Sequence, residues 1–76
     1  MINIAILGGS GYTGLELLRI LSNHQFSSVK AVTSRQYSGK AVADVFPSLR
    51  GFYDGLFFSD PAEFKSIKAD VVFCAL

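Results

Sequence analysis

The first apolar run, Ile2 to Leu7, is broken only by Asn3 and passes directly into Gly8-Gly9-Ser10-Gly11. Such continuous hydrophobicity fits a parallel strand covered on both faces. From Tyr12 to about Asn23 the pattern changes period: Leu15, Leu18 and Leu21 recur at helical spacing with Leu17 and Ile20 beside them, while Glu16 and Arg19 fall on the wetter side. Val29 to Thr33 reads as a short second strand, its Lys30 placing it near a sheet edge. Between Ser34 and Asp54 the periodicity disappears, with Gly39, Pro47, Ser48 and Gly51 marking a long irregular connection and one helical turn at Ala41 to Val45. Phe46, Phe52 and Tyr53 in that stretch are read as packing residues. Leu56 to Phe58 gives a third strand, and Asp60-Pro61-Ala62-Glu63 is a capping box with proline at the first helical position, starting a short helix that runs to about Ile67. Asp70 then opens a fourth apolar strand, Val71 to Leu76.

Strand, helix, strand, irregular crossover, strand, short helix, strand is the layout of the first half of a doubly wound sheet. The fold class expected is α/β, a Rossmann-type parallel sheet with spatial order 3-2-1-4, truncated after its fourth strand. Ligands of such sheets bind outside the carboxyl ends of the strands. Gly9, Gly11 and Gly14 occupy the positions of a G-x-G-x-x-G fingerprint between strand and helix. They would allow, in turn, a tight bend, close approach of a pyrophosphate, and close packing of helix on strand. Gly8, Gly11 and Gly14 also read as G-x-x-G-x-x-G, so which glycine opens the bend is ambiguous. The helix that follows offers unpaired N–H groups and the positive end of its dipole to an anion. Residues 1–76 are therefore expected to be the amino-terminal part of a dinucleotide-binding domain, with the substrate and catalytic domain absent.

The place where a ribose-binding acid normally stands, ~20 residues beyond the glycines, reads Ala31-Val32-Thr33-Ser34-Arg35. After Glu16 the next carboxylate is Asp44. A guanidinium grips phosphate oxygens in paired charge-assisted bonds where a carboxylate would repel them. Ser34 and Arg35 thus point to a 2′-phosphate and to NADP(H), and Lys40 is a candidate second positive charge.

Composition narrows the chemistry. With 76 residues and a net charge of +1, the chain has no basic run to attract nucleic acid or an anionic membrane. No apolar stretch approaches the ~18–20 residues that cross a bilayer. The Met-Ile-Asn-Ile start lacks the layout of a secretion signal, and one cysteine excludes an internal disulfide; together these point to the cytoplasm. Half of the residues are hydrophobic and mean hydropathy is +0.38, a surplus that suggests faces made to meet more protein. Cys74 has no base near it in sequence and is read as a buried structural residue, His24 as a surface group at a helix end, and no metal site is expected. No catalytic residue is assigned: the chain is expected to hold a cofactor without being able to use it.

The run Gly8-Gly9-Ser10-Gly11-Tyr12-Thr13-Gly14-Leu15-Glu16-Leu17-Leu18-Arg19, the later Ser34-Arg35-Gln36-Tyr37-Ser38-Gly39-Lys40, and Phe46-Pro47-Ser48-Leu49-Arg50-Gly51 resemble the amino-terminal region of the N-acetyl-gamma-glutamyl-phosphate reductases. The closing Asp70-Val71-Val72-Phe73-Cys74-Ala75-Leu76 resembles the strand before that family's Pro-His-Gly loop. The resemblance implies a parent oligomeric enzyme that reduces an acyl phosphate to an aldehyde with NADPH during arginine biosynthesis, through a cysteine thioester and a histidine that assists proton transfer. That cysteine belongs to an Asn-Pro-Gly-Cys-type motif beyond position 76; Cys74 and His24 match neither group. Only cofactor positions carry over: Gly8, Gly9, Ser10, Gly11, Tyr12, Thr13 and Gly14 for pyrophosphate, Ser34 and Arg35 for the 2′-phosphate. A relative acting on the amino-adipyl phosphate of lysine biosynthesis, or a non-catalytic dinucleotide sensor, are the other readings.

Overall fold

The computed structural model describes residues 1–66 and 68–75. Four parallel strands form one sheet: β1 (Ile2–Leu7), β2 (Ser27–Thr33), β3 (Phe58–Ser59) and β4 (Val71–Cys74), in the spatial order β3-β2-β1-β4. This is the 3-2-1-4 arrangement expected from the apolar runs, and it puts β1 beside both β2 and β4. The helix α1 (Tyr12–Ser22) makes the crossover from β1 to β2.

Inward-facing residues from each part of the chain meet in one core: Ile4 and Ile6 of β1, Leu18 of α1, Val32 of β2 and Phe58 of β3. Burying each such side chain contributes ~1.5–3 kcal/mol. The crossover after β2 is more ordered than its lost periodicity suggests. It contains one helical turn, α2 (Val42–Val45), and a 3₁₀ turn, Pro47–Leu49, and it adds Val42, Leu49 and Tyr53 to the core. Tyr53 donates its hydroxyl to the Leu18 carbonyl at 2.6 Å, pinning the crossover to α1. Burial pushes the Tyr53 hydroxyl pKa up to about 12. Phe46 packs edge-on against Phe58, with ring centroids 6.1 Å apart. Of the three aromatics read as packing residues, Phe52 departs, being 58% exposed.

The third strand lies slightly later than the Leu56 to Phe58 expected from the pattern. The Leu56 carbonyl accepts the Val42 N–H at 2.9 Å and Phe57 bridges antiparallel to Ala41, so both residues are engaged by the crossover before the parallel ladder begins at Phe58. Because β3 pairs only with Val32 and Thr33, the earlier part of β2 carries a free edge among the described residues. The β1–β2 register steps from Ile4–Val29 to Ala5–Ala31, leaving Lys30 without a counterpart in that pairing.

Asp60 caps the next turn as expected, its Oδ1 accepting the Ala62 N–H at 2.8 Å, but the turn Pro61–Ser66 is 3₁₀ in form. Its expected reach to Ile67 lies outside the described residues, as does the expected end of the fourth strand at Leu76. Asp70 sets the register of β4: Oδ2 accepts the Asn3 N–H and the Asp70 N–H donates to the Asn3 carbonyl, both at 2.8 Å. Val71, Val72, Phe73 and Cys74 are all exposed, since no described element covers β4. Cys74 therefore departs from the buried position expected of it: it is a free, exposed thiol. No helix among the described residues is long and apolar enough to cross a membrane.

Candidate functional site

The carboxyl ends of β1 and β2 lie side by side, and a cleft of about 490 Å³ opens there between the glycine bend and the residues that follow β2. Leu7, Gly8 and Ser10 form one side, Thr33, Ser34, Arg35 and Gln36 another, and Pro61 closes a third.

The glycines of the bend have separable reasons to be glycine. Gly8 carries the left-handed backbone, with φ of 74°. This resolves the ambiguity of the motif: the bend opens at Gly8. Gly9 is buried, and a Cβ there would run into the Val32 side chain. At Gly14 a Cβ would overlap the Gly9 backbone, so this glycine lets α1 close onto the bend. Gly11 is different, because a Cβ built on it meets nothing within 4 Å. Its backbone conformation is ordinary, φ −94° and ψ −172°, so neither strain nor crowding inside the protein demands glycine. The open space in front of it is room for an incoming group.

What that group meets is a set of amides. Leu15 N–H is bonded to the Gly11 carbonyl at 3.0 Å, and the N–H groups ahead of it at the helix start have no intrahelical partner. The first turn of α1 carries no acidic residue to neutralise the positive end of the dipole. Glu16, the nearest carboxylate in sequence, pairs with Arg19 at 2.7 Å, and the hydrogen bond and charge of that guanidinium hold the Glu16 carboxyl below its ordinary pKa. The amides of Gly8 and Gly9 do not belong to this set. Gly8 N–H donates to Thr33 Oγ1 at 3.0 Å and Gly9 N–H to the Thr33 carbonyl at 2.9 Å. These two residues frame the bend, and the amides that follow are the ones presented. Tyr12, 87% exposed, keeps its ring out of the protein.

Ser34 is 2% exposed and forms the start of a turn: its N–H donates to the Ser59 carbonyl at 2.9 Å and its Oγ accepts the Tyr37 N–H at 3.0 Å. Accepting that bond leaves the hydroxyl hydrogen for a further acceptor. Arg35 is exposed beside the cleft and has no ion-pair partner among the described residues. No carboxylate among the described residues lines the cleft. The structure thus brings Gly8, Ser10, Ser34 and Arg35 to one opening. Tyr12 and Thr13 face a neighbouring apolar groove of about 480 Å³ between α1 and β4, which Cys74 also lines. Lys40 is not brought to the Arg35 cleft; it lines a separate hollow with Asp44 and Phe57. Among the described residues no His, Cys, Asp and Glu cluster could hold a metal ion.

Sequence reasoning missed three contributors. From the sequence Thr33 reads as the end of a strand, Pro61 as a helix start, and Gln36 as one residue of the run after Arg35. Their common signal is position: Thr33 is the last residue of β2, and Gln36 and Pro61 follow the ends of β2 and β3 by three and two residues, on the side where the bend lies.

The fold agrees with what the chain is similar to. It is 53% identical over 75 residues to N-acetyl-gamma-glutamyl-phosphate reductase of Pseudomonas putida strain W619, a match covering 99% of this chain and 22% of the relative. The same-named protein of Nitrosospira multiformis is 57% identical over 75 residues, and that of Saccharophagus degradans 49%, each again over 99% of this chain. The chain therefore spans about 22% of the length of the curated relatives it matches. Residues 3–76 match the family described as semialdehyde dehydrogenase, NAD binding domain, and the chain belongs to that family, a binder of nicotinamide dinucleotides.

Proposed function

We propose that this chain is the NADP(H)-binding portion of a cytoplasmic reductase that converts N-acetyl-gamma-glutamyl phosphate to N-acetylglutamate semialdehyde in arginine biosynthesis. The observation that carries the cofactor choice is a buried Ser34 hydroxyl beside an Arg35 guanidinium that has no ion-pair partner among the described residues, at a cleft that no described carboxylate lines. A 2′-phosphate would there find a hydroxyl donor and a planar fork of N–H groups. NAD(H) offers this pair only a ribose hydroxyl. The relatives' printed name carries the substrate choice.

Within this reading the chain's own groups bind and orient. Amides at the start of α1, with the open space before Gly11, take the pyrophosphate, and the dipole of an 11-residue helix adds its positive end. Ser34 and Arg35 fix the adenosine end, while Pro61 and Gln36 wall it. When bound, the reduced nicotinamide supplies hydride for the acyl-to-aldehyde step. Cys74 and His24 take no part in that step, and the thiol and histidine that do belong to the remainder of the enzyme, which acts as a homo-oligomer.

Titrating the protein with NADPH and with NADH, by calorimetry or nicotinamide fluorescence, tests the cofactor assignment. NADPH is expected to bind at least about tenfold more tightly, the ratio given by ~1.4 kcal/mol. Equal affinity, or a preference for NADH, would remove the 2′-phosphate reading.

A further inference from the structure

Thr33 ends β2, is 1% exposed, and has no part in the binding scheme above. Yet both of its oxygens face the glycine bend. Oγ1 accepts the Gly8 N–H and the carbonyl accepts the Gly9 N–H, at 3.0 and 2.9 Å. The second bond continues the backbone pairing of β1 with β2, which any residue could make. The first needs a side-chain oxygen at this position.

That bond acts on the one residue of the bend in left-handed conformation. Glycine has the widest choice of backbone angles, so Gly8 without a partner would sample several bends. With Oγ1 in place, its N–H is turned inward like that of Gly9, and the amides presented are those that follow Gly9. Val32, one residue earlier, supports Gly9 from below. Ser34, one residue later, ties the next turn through Tyr37 and β3 through Ser59.

We propose that Thr33 is a positioning residue for the dinucleotide: its hydroxyl oxygen holds the Gly8–Gly9 bend in the shape in which the helix-start amides converge on the pyrophosphate. The inference rests on the reading that this cleft binds NADP(H). Losing the bond lowers the fraction of molecules whose bend is ready, and observed affinity falls by that fraction.

The test compares Thr33→Val and Thr33→Ser with the unaltered protein, using NADPH and adenosine 2′-monophosphate. The second ligand carries the 2′-phosphate and adenine but no pyrophosphate. Thr33→Val is expected to bind NADPH about tenfold more weakly while holding adenosine 2′-monophosphate within about twofold. Thr33→Ser keeps the oxygen and should retain NADPH affinity. Undiminished NADPH binding by Thr33→Val overturns the proposal, and so does an equal loss for both ligands, which would mean a general loosening of the β2 end. Should Thr33→Val not fold, Thr33→Ser decides alone: retained affinity supports the oxygen's role, and a tenfold loss would place the effect in the methyl group and overturn it. If the unaltered protein binds adenosine 2′-monophosphate but not NADPH, the cofactor reading itself fails, a result distinct from any of these.

Discussion

Replacing Gly14 with alanine sets two well-known effects against each other at one atom. In a helix interior, alanine is favoured over glycine by ~1 kcal/mol, so propensity alone predicts a more stable α1. Against that, the new Cβ would overlap the carbonyl oxygen, carbonyl carbon and Cα of Gly9. These are backbone atoms, and Gly9 cannot swing aside, because its N–H is bonded to Thr33 and the Val32 side chain lies under it. The helix must move instead, carrying Leu18 out of a fully buried position and stretching the Tyr53 hydrogen bond to its carbonyl. Overpacking of this kind costs ~1–3 kcal/mol, and a clash with pinned backbone belongs at the upper end. The net expected is a destabilisation of ~2 kcal/mol after the helix gain is subtracted. Urea denaturation of both proteins, followed by far-ultraviolet circular dichroism, should show a lower midpoint with the slope unchanged. NADPH binding should weaken in parallel, since the displaced helix start carries the phosphate-facing amides. An unchanged or higher midpoint would refute the close helix-on-bend packing on which the cradle depends.

Gly11→Ala makes the complementary case: nothing within 4 Å crowds the new methyl group, so stability should hold within ~0.5 kcal/mol while NADPH affinity, by titration, falls because the methyl occupies the phosphate's space. Arg35→Ala should weaken NADPH by ~1.5–3 kcal/mol and leave NADH little changed, a loss of preference read by the same titration. Tyr53→Phe deletes a buried hydrogen bond and should cost ~1 kcal/mol in denaturant unfolding. The Tyr53 hydroxyl pKa also rises, from about 10 unfolded to about 12 folded, so the folded state holds its proton more firmly. Its contribution is complete below pH 10 and is lost as pH rises from 10 to about 12. Stability measured across that window should fall for the unaltered protein, and this part of the fall should vanish in Tyr53→Phe.

Strand order and the place of the glycine bend were legible because they rest on composition over several residues. Continuous apolar runs at Ile2 to Leu7 and Val71 to Cys74 read as parallel strands, and a glycine bend between strand and helix has one topological place. Details that depend on a single distant partner were not legible. Thr33 reads as an ordinary β-former, and nothing local reveals a bond to a residue 25 positions earlier. The start of β3 slipped because Leu56 and Phe57 satisfy the crossover, a choice made by Ala41 and Val42 rather than by their own pattern. Glycine assignment within the bend was open for a similar reason: spacing cannot tell a residue that needs φ of 74° from one pressed against Val32. Cys74 followed the general tendency of cysteine to be buried, which fails on a strand that no described element covers.

The central claim is that amides at the start of α1, and not the apolar groove beside it, receive the dinucleotide's phosphates. An amide-resolved NMR titration with NADPH addresses it directly. Saturable shifts at Ser10, Gly11, Tyr12 and Thr13, moving together with the Arg35 side-chain N–H and sharing one binding constant, are the result expected. Unmoved bend amides, with the perturbations gathered instead at Leu17, Ile20 and Phe73, would contradict it.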